Sequence, residues 1–340
     1  MVWGPGGMLC FRMDTLTSPL PPGLVLQPAR PADLPRVAAF LTSTHPEAPV
    51  APEDLERQDA GRLEGEPFVR TLALAGGELV GLAETGVPRM DGHPGWLDVT
   101  VRTRPDLAGG ALAETLLAHA EANARQSGAH TLVTRVREDW WEKAFCEARG
   151  YREHDRMWSS TLDLRMLDFA RFAAYEDRAR AAGIRIAPLG ELVDDFGEAA
   201  QRRLYALVAA LLLDVPSTTP ISVWPFEVWQ RRVSGRIDPV GEFIAVAPDG
   251  EWVGLSELSQ PLPTRPGMLH NGLTGVLPAW RGHGVAYALK LAAARAALSR
   301  GFTHARTGNH AINRPMLAIN ERLGFAREAA MVTLVKEVRG

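Results

Sequence analysis

Arg281, Gly282, His283 and Gly284 stand between two segments of opposite character. Thr274–Leu277 reads as the end of a strand, and Pro278 stops it because proline has no N–H to give to a ladder. From Val285 onward, Ala286, Leu289, Ala293 and Ala297 recur at helical spacing. Two glycines at a helix start each cost about 1 kcal/mol relative to alanine, so something should offset them. The chemistry they permit is anion binding, because a backbone without Cβ lets a ligand approach the free N–H groups at the positive end of the helix. Arg281 adds a fixed positive charge beside that site. The plainer alternative is a glycine-rich turn that only lets a strand meet a helix. No Gly-Lys-Ser/Thr and no Gly-x-Gly-x-x-Gly opens a βαβ unit, which argues against nucleotide loops of those kinds.

The pattern Arg-x-x-Gly-x-Ala, from Arg281 to Ala286, resembles the acyl-CoA pyrophosphate loop of the GNAT superfamily of N-acetyltransferases. Thr307-Gly-Asn309 and the stretch from Asn313 to Phe325 resemble that superfamily's closing segment. The resemblance implies acetyl-CoA as co-substrate. Val276, Leu277, Arg281, Gly282, His283, Gly284, Val285, Ala286, Asn313 and Met316 are then its expected binding residues. Asparagines at 309 and 313 would hydrogen-bond the pantetheine arm or the amine; capping of the helix that follows serves equally well for Asn313, with Pro315 in its first turn. Met316 also reads as apolar packing. Family members often carry a glutamate on the strand after the second hairpin, here Glu257, as the base that takes a proton from the amine. The alternative for Glu257 is an exposed strand residue, and Glu84 in the corresponding place earlier in the chain supports it. The superfamily's usual acid is a tyrosine five residues before the closing aromatic; that position is Asn320 here. His310 is a possible substitute or a surface residue, His283 a loop residue near phosphate, and His270 has no assigned role.

The positioning framework repeats. Gly77-Glu-Leu-Val-Gly-Leu-Ala-Glu84 matches Gly250-Glu-Trp-Val-Gly-Leu-Ser-Glu257, Pro105 falls on Pro278 at the same offset, and Gly150-Tyr151 matches Gly324-Phe325 one residue further on. Duplication of one domain is the simplest cause. Strands alternate with helices in both copies, so the expected fold is a mixed α/β sheet in two tandem GNAT-like domains. The expected division is a flexible extension at 1–22, a degenerate domain at 23–166, a linker helix at 167–182 and the acyl-CoA domain at 183–340. Hairpins are expected through Gly76-Gly77 and Asp249-Gly250. Copy one has Ala108-Gly-Gly-Ala-Leu-Ala where copy two has Arg281-Gly-His-Gly-Val-Ala, and Cys146 at the acid position. It lacks the arginine and the second glycine, and a structural role is expected for it.

Composition sets the outer limits. At 340 residues the chain is long for one core. A hydrophobic content of 46%, a charged content of 23% and a formal charge of −3 suit a globular protein and give no reason to expect nucleic acid. Only Lys143, Lys290 and Lys336 are lysines; the dominance of arginine reads as compositional bias. Two cysteines, Cys10 and Cys146, exclude a disulfide framework or a cysteine metal cluster, and no metal is expected. The most apolar run, Leu204–Leu213, is too short to span a bilayer. Within these limits, the resemblance to the GNAT superfamily implies a cytoplasmic monomer or homodimer that acetylates a small-molecule or peptide amine. Asp214 beside Trp224 and Phe226 would suit a cation on an aromatic wall, or capping and packing. The competing class is a non-catalytic acyl-CoA-binding or scaffolding protein.

Overall fold

The computed structural model describes residues 23–88, 93–216, 221, 223–259 and 266–338; the expected extension at 1–22 lies outside them. The chain divides into two compact units. One holds the residues up to Val136, Trp140–Arg152 and those from Thr333 on; the other holds Arg137–Asp139 and Glu153–Val332.

In the first unit, β1 (Leu24–Pro28) leads through α1 (Leu34–Thr44) and α2 (Pro52–Ala60) to β2 (Phe68–Ala75) and β3 (Glu78–Gly86). There follow β4 (Trp96–Thr103), α3 (Ala111–Gln126), β5 (Thr131–Arg137) and α4 (Trp141–Glu147). Gly76 and Gly77, with φ of 57° and 88°, make the expected tight hairpin between β2 and β3, a turn that needs the left-handed region at both places.

The second unit begins with β6 (Arg152–Asp163), α5 (Ala173–Ala181), β7 (Arg185–Pro188), α6 (Glu198–Leu213) and α7 (Phe226–Arg232). It continues with β8 (Glu242–Val246), β9 (Trp252–Ser259), β10 (Met268–Val276), α8 (Val285–Ser299), β11 (His304–His310), α9 (Arg314–Leu323) and β12 (Ala326–Arg327). The chain then enters β13 (Met331–Glu337), whose residues from Thr333 belong to the first unit. The β8–β9 connection spans Ala247–Glu251, longer than a two-residue turn, and closes with the Ala247 N–H donating to Glu251 O.

Strand order is β1-β2-β3-β4-β5-β13 in the first unit and β6-β11-β10-β9-β8-β7 in the second, with β12 also on β6. The steps β1–β2, β2–β3, β3–β4, β7–β8, β8–β9, β9–β10 and β6–β11 are antiparallel, and β4–β5 and β10–β11 are parallel. The allocation of closing strands differs from a division at 166 and 183. β6 pairs along all of β11, from Asp163 opposite His304 to Met157 opposite His310, so it completes the second sheet.

One packing device appears in both units. A Cβ at Gly81 would lie 2.7 Å from Leu116 Cδ1, and one at Gly254 would lie 3.2 Å from Leu289 Cδ1. Each glycine lets the long helix settle close onto its sheet, and both members of the pair shift by the same 173 positions, since 254 − 81 and 289 − 116 agree. In the second unit α8 packs on one sheet face with α5, through Phe172, Tyr287, Leu289 and Ala297, while α6 and α7 cover the other through Leu204, Leu211, Phe226 and Trp229. Among the described residues no helix is long and apolar enough to cross a membrane, and no group of three or more His, Cys, Asp or Glu could hold a metal ion.

Candidate functional site

β10 and β11 pair only from Met268–His304 to His270–Arg306, although β10 runs on to Val276 and β11 to His310. On its other edge β10 carries an irregularity between Asn271 and Thr274, where the register with β9 shifts. A bulge bends a strand and frees backbone groups from the ladder. A cavity of about 420 Å³ lies in this part of the unit, walled by Leu273–Val276 of β10, the loop after it, the start of α8, Asn313, Pro315, Met316 and Ile319 at α9, and Leu211, Asp214, Val215 and Pro216 at the end of α6 and beyond it.

The loop carries its glycines for two different reasons. Gly282 and Gly284 both have φ of 82°, a conformation other residues adopt only under strain. A Cβ at Gly282 would meet nothing within 4 Å, so the backbone there is open to a ligand. A Cβ at Gly284 would overlap the carbonyl oxygen of Tyr175 in α5. Its lack of a side chain therefore serves helix packing, where the sequence suggested ligand approach. α8 begins at Gly284 with no side-chain cap, so its first-turn N–H groups keep their capacity to donate to an anion.

Of the expected cofactor residues, Val276, Arg281, Gly282, Gly284, Val285, Ala286, Asn313 and Met316 line the cavity; Leu277 and His283 are not among its lining. Leu277 packs into the core clusters and His283 sits edge-on to Trp280 with ring centroids 6.4 Å apart. Arg281 donates through Nε to Val276 O at 3.0 Å and through Nη2 to Asp214. Asp214 is thus the partner of the loop arginine, which displaces its reading as a cation site beside Trp224. Asn313 lines the cavity, and its Oδ1 accepts from Met316 N–H at 3.4 Å as the cap of α9. The helix read as a linker is part of the wall, through Tyr175 and Arg178. Tyr175 stacks on Tyr287 at 4.0 Å. Nothing in the α5 sequence announced this, because the contact depends on how the chain returns to α8.

The expected catalytic residues sit around the cavity and are not among its lining. Glu257 is half-buried on β9, and its Oε2 accepts from Leu273 N–H at 3.3 Å, inside the bulge and at the cavity wall. Across the ladder stands Glu242, 5% exposed. Burial, with the Glu257 and Asp238 carboxylates nearby, raises the Glu242 carboxyl to about 8, so it holds its proton at neutral pH. β8 is buried at every position, and the unbroken apolar run Phe243–Val246 beside Glu242 was the signal that this strand is enclosed on both faces. Asn309 Oδ1 accepts from Asn320 Nδ2 at 2.6 Å, and Asn320 is buried; the place of the family's usual acid is thus taken by an amide pair. His310 pairs with Asp155.

A buried polar chain reaches the cavity from the α8 side. Lys290 Nζ donates to Asn271 Oδ1 at 2.5 Å, and Asn271 Nδ2 donates to Ser256 Oγ at 3.1 Å and to Glu257 O at 2.8 Å. The Ser256 hydroxyl lies 3.0 Å from that of Thr274, which lines the cavity. Burial lowers the Lys290 ammonium to about 7. A lysine in the apolar stripe of a helix was its signal in the sequence.

The first unit is equipped differently at matching places. Arg102 stands 173 positions before Gly275 and Glu142 stands 174 before Met316, both cavity residues of the second unit. Arg102 Nη1 lies 3.4 Å from Glu142 Oε1, the same oxygen lies 2.9 Å from His45 Nε2, and Trp140 stacks on His45 at 3.8 Å. An ion pair and two rings thus stand where the second unit keeps small or apolar groups. Burial, with Glu142 beside it, pushes the Cys146 thiol up to about 12, which leaves it unreactive near neutral pH.

Residues 209–325 match the family described as Acetyltransferase (GNAT) family. Among solved structures, a GCN5-related N-acetyltransferase from Sphaerobacter thermophilus is similar with a TM-score of 0.70 and 22% identity, covering 95% of this chain and 98% of its own. A tandem GNAT protein from the clavulanic acid biosynthesis pathway gives 0.70 at 20% identity, covering 93% of this chain and 99% of its own. No curated protein matches the sequence. The structural likenesses carry the fold, and the sequence match covers most of the residues that line the cavity. The chain has the tandem GNAT fold over the 93 to 95% of it that these structures cover, and its residues 209–325 are similar to the GNAT acetyltransferase family.

Proposed function

We propose that the second unit transfers an acetyl group from acetyl-CoA to a primary amine of a small molecule or peptide, by direct attack with both substrates bound. The observation that carries this is the cavity itself, walled at once by the bulged strand, the open backbone at Gly282 and the uncapped start of α8. The donor set fits a diphosphate: first-turn N–H groups, a positive-φ glycine and Arg281. When bound, acetyl-CoA supplies the activated thioester. The chain's own residues then have two tasks. Backbone N–H groups near the bulge are suited to hold the carbonyl oxygen as it gains charge. Glu257, which already accepts from Leu273 N–H at the wall, would take the proton the amine must lose, directly or through water.

The thiolate must leave without a phenol at position 320, because Asn320 donates to Asn309 and carries no proton of suitable acidity. That pair is the one observation favouring a non-catalytic acyl-CoA-binding role. Thiol release from acetyl-CoA, measured with a panel of amines and with none, separates the two. Amine-dependent release is expected; binding without release beyond slow hydrolysis would establish the binding role. A cytoplasmic location and a monomeric or dimeric state belong to the same proposal.

A further inference from the structure

α5, which joins the two repeats in sequence, and the Phe172 just before it are fixed against α8 by four separate features. Phe172 and Tyr175 both stack on Tyr287, at 5.8 and 4.0 Å. Glu176 accepts from both Nη atoms of Arg295, at 2.6 and 2.8 Å. The Tyr175 carbonyl lies where a side chain at Gly284 would be. Such a helix is a wall, and its position is set by residues of α8.

The cations on α5 are used unequally. Arg180 is neutralised by Asp177 at 2.6 Å. Arg178 lies in the cavity wall with its guanidinium 4.6 Å from the Tyr175 ring centroid, and no carboxylate among the described residues pairs with it. Among the cavity-lining residues the other cation is Arg281, which Asp214 already engages. Stacking on an aromatic ring orients a guanidinium while leaving its N–H groups to donate. An oriented and unneutralised guanidinium near uncapped helix N–H groups is a phosphate-binding arrangement.

We propose that Arg178 of α5 binds a phosphate group of coenzyme A, so that the segment between the repeats is part of the cofactor site. The proposal rests on the acyl-CoA reading of the cavity. Coenzyme A offers two phosphate sources, the diphosphate and the 3′-phosphate, and both present the same chemistry to a guanidinium.

The test is calorimetry on the full chain with coenzyme A and with 3′-dephospho-coenzyme A, using Arg178→Glu, Arg178→Gln, Arg178→Lys and, as control, Arg180→Glu. Loss of one charge-assisted contact corresponds to roughly ten- to a hundredfold in affinity. The expectation is a weakening of that size in Arg178→Gln, a larger one in Arg178→Glu, partial retention in Arg178→Lys, and wild-type affinity in Arg180→Glu. A loss that vanishes with the dephospho compound assigns the 3′-phosphate; a loss that persists assigns the diphosphate. Should Arg178→Glu melt early, the Gln and Lys variants decide. Wild-type affinity in both Arg178→Glu and Arg178→Gln overturns the role of Arg178 and leaves the acyl-CoA reading intact. Absence of binding by the wild-type chain overturns the acyl-CoA reading and this inference with it.

Discussion

Glu242 faces Glu257 across the β8–β9 ladder, whereas at the corresponding step of the other unit Arg70 faces Glu84 and bonds to it. The same architecture thus offers its own reference: an ion pair in the first unit, and two carboxylates in the unit that holds the cavity. Burial, with the carboxylate of Glu257 beside it, favours the protonated form of Glu242.

Replacing Glu242 by Gln should therefore change the pH dependence of stability. The folded carboxyl is raised to about 8 by burial and by Glu257, while an unfolded one titrates near the ordinary value of 4.5. Folding takes up a proton between those limits, so this stabilising contribution is complete at acid pH and is lost as pH rises through 8. Glu242→Gln and wild type should differ least near pH 4 and increasingly in favour of the variant towards pH 9, by up to a few kcal/mol at about 1.4 kcal/mol per pKa unit. Thermal melts across that range check it; a constant difference would refute it.

Glu257→Gln should lower turnover by about 10²- to 10⁴-fold, the usual reach of a positioned base, while leaving acyl-CoA affinity nearly unchanged. The deficit should be greatest at pH values where the amine is mostly protonated. Parallel measurement of kcat and of acyl-CoA affinity across pH decides it, and unaltered rates would return Glu257 to a strand residue that braces the bulge.

Lys290→Met should act with the opposite slope to Glu242→Gln. Burial brings the folded ammonium down to about 7 from an ordinary 10.5, so the folded state sheds its proton first. Wild-type stability gains as pH climbs from 7 towards 10.5, because only the unfolded chain still holds the charge there. The variant lacks that gain. Denaturant unfolding at pH 6, 8 and 10 should show the wild type rising against Lys290→Met, and parallel curves would exclude a titrating buried lysine.

Coenzyme A should bind with a stoichiometry of one. Arg102 and Glu142 place a buried ion pair at the positions held by Gly275 and Met316 in the second unit, and Ala108 stands for Arg281. Calorimetry on the full chain reads the number directly. Two sites of equal strength would overturn the asymmetry.

Residues 183–338 expressed alone should be poorly soluble and bind coenzyme A weakly. That fragment lacks β6, leaving the β11 edge open, and lacks α5, which uncovers Tyr287 and removes Arg178 from the cavity wall. Extending the fragment back to Glu153 restores both elements and should raise solubility and affinity together. Full affinity in the shorter fragment would show that α5 and β6 are dispensable.

The sequence made legible what is encoded locally. The hairpin at Gly76-Gly77, the proline that ends β10 and Gly282 before α8 each act within a few residues, so type and spacing sufficed. The duplication was readable because Gly81 and Gly254 answer to the same packing need against Leu116 and Leu289. What stayed hidden depends on distant pairing. No spacing rule says that β6 lies beside β11, that Tyr175 reaches Gly284, or that Asp214 meets Arg281. Gly284 is the instructive case: the residue was singled out correctly, and its neighbour was a carbonyl of α5.

The allocation of β13 bears on how the protein is made. Its residues from Thr333 belong to the first unit, whose sheet order ends β4-β5-β13. A chain leaving the ribosome ordinarily completes its earlier domain before the later one appears. Here the earlier unit must wait with one sheet edge unfinished until almost all of the later one has been synthesised. The unit begun first is finished last, and during that interval its β5 edge is the stretch of the nascent chain most in need of a chaperone.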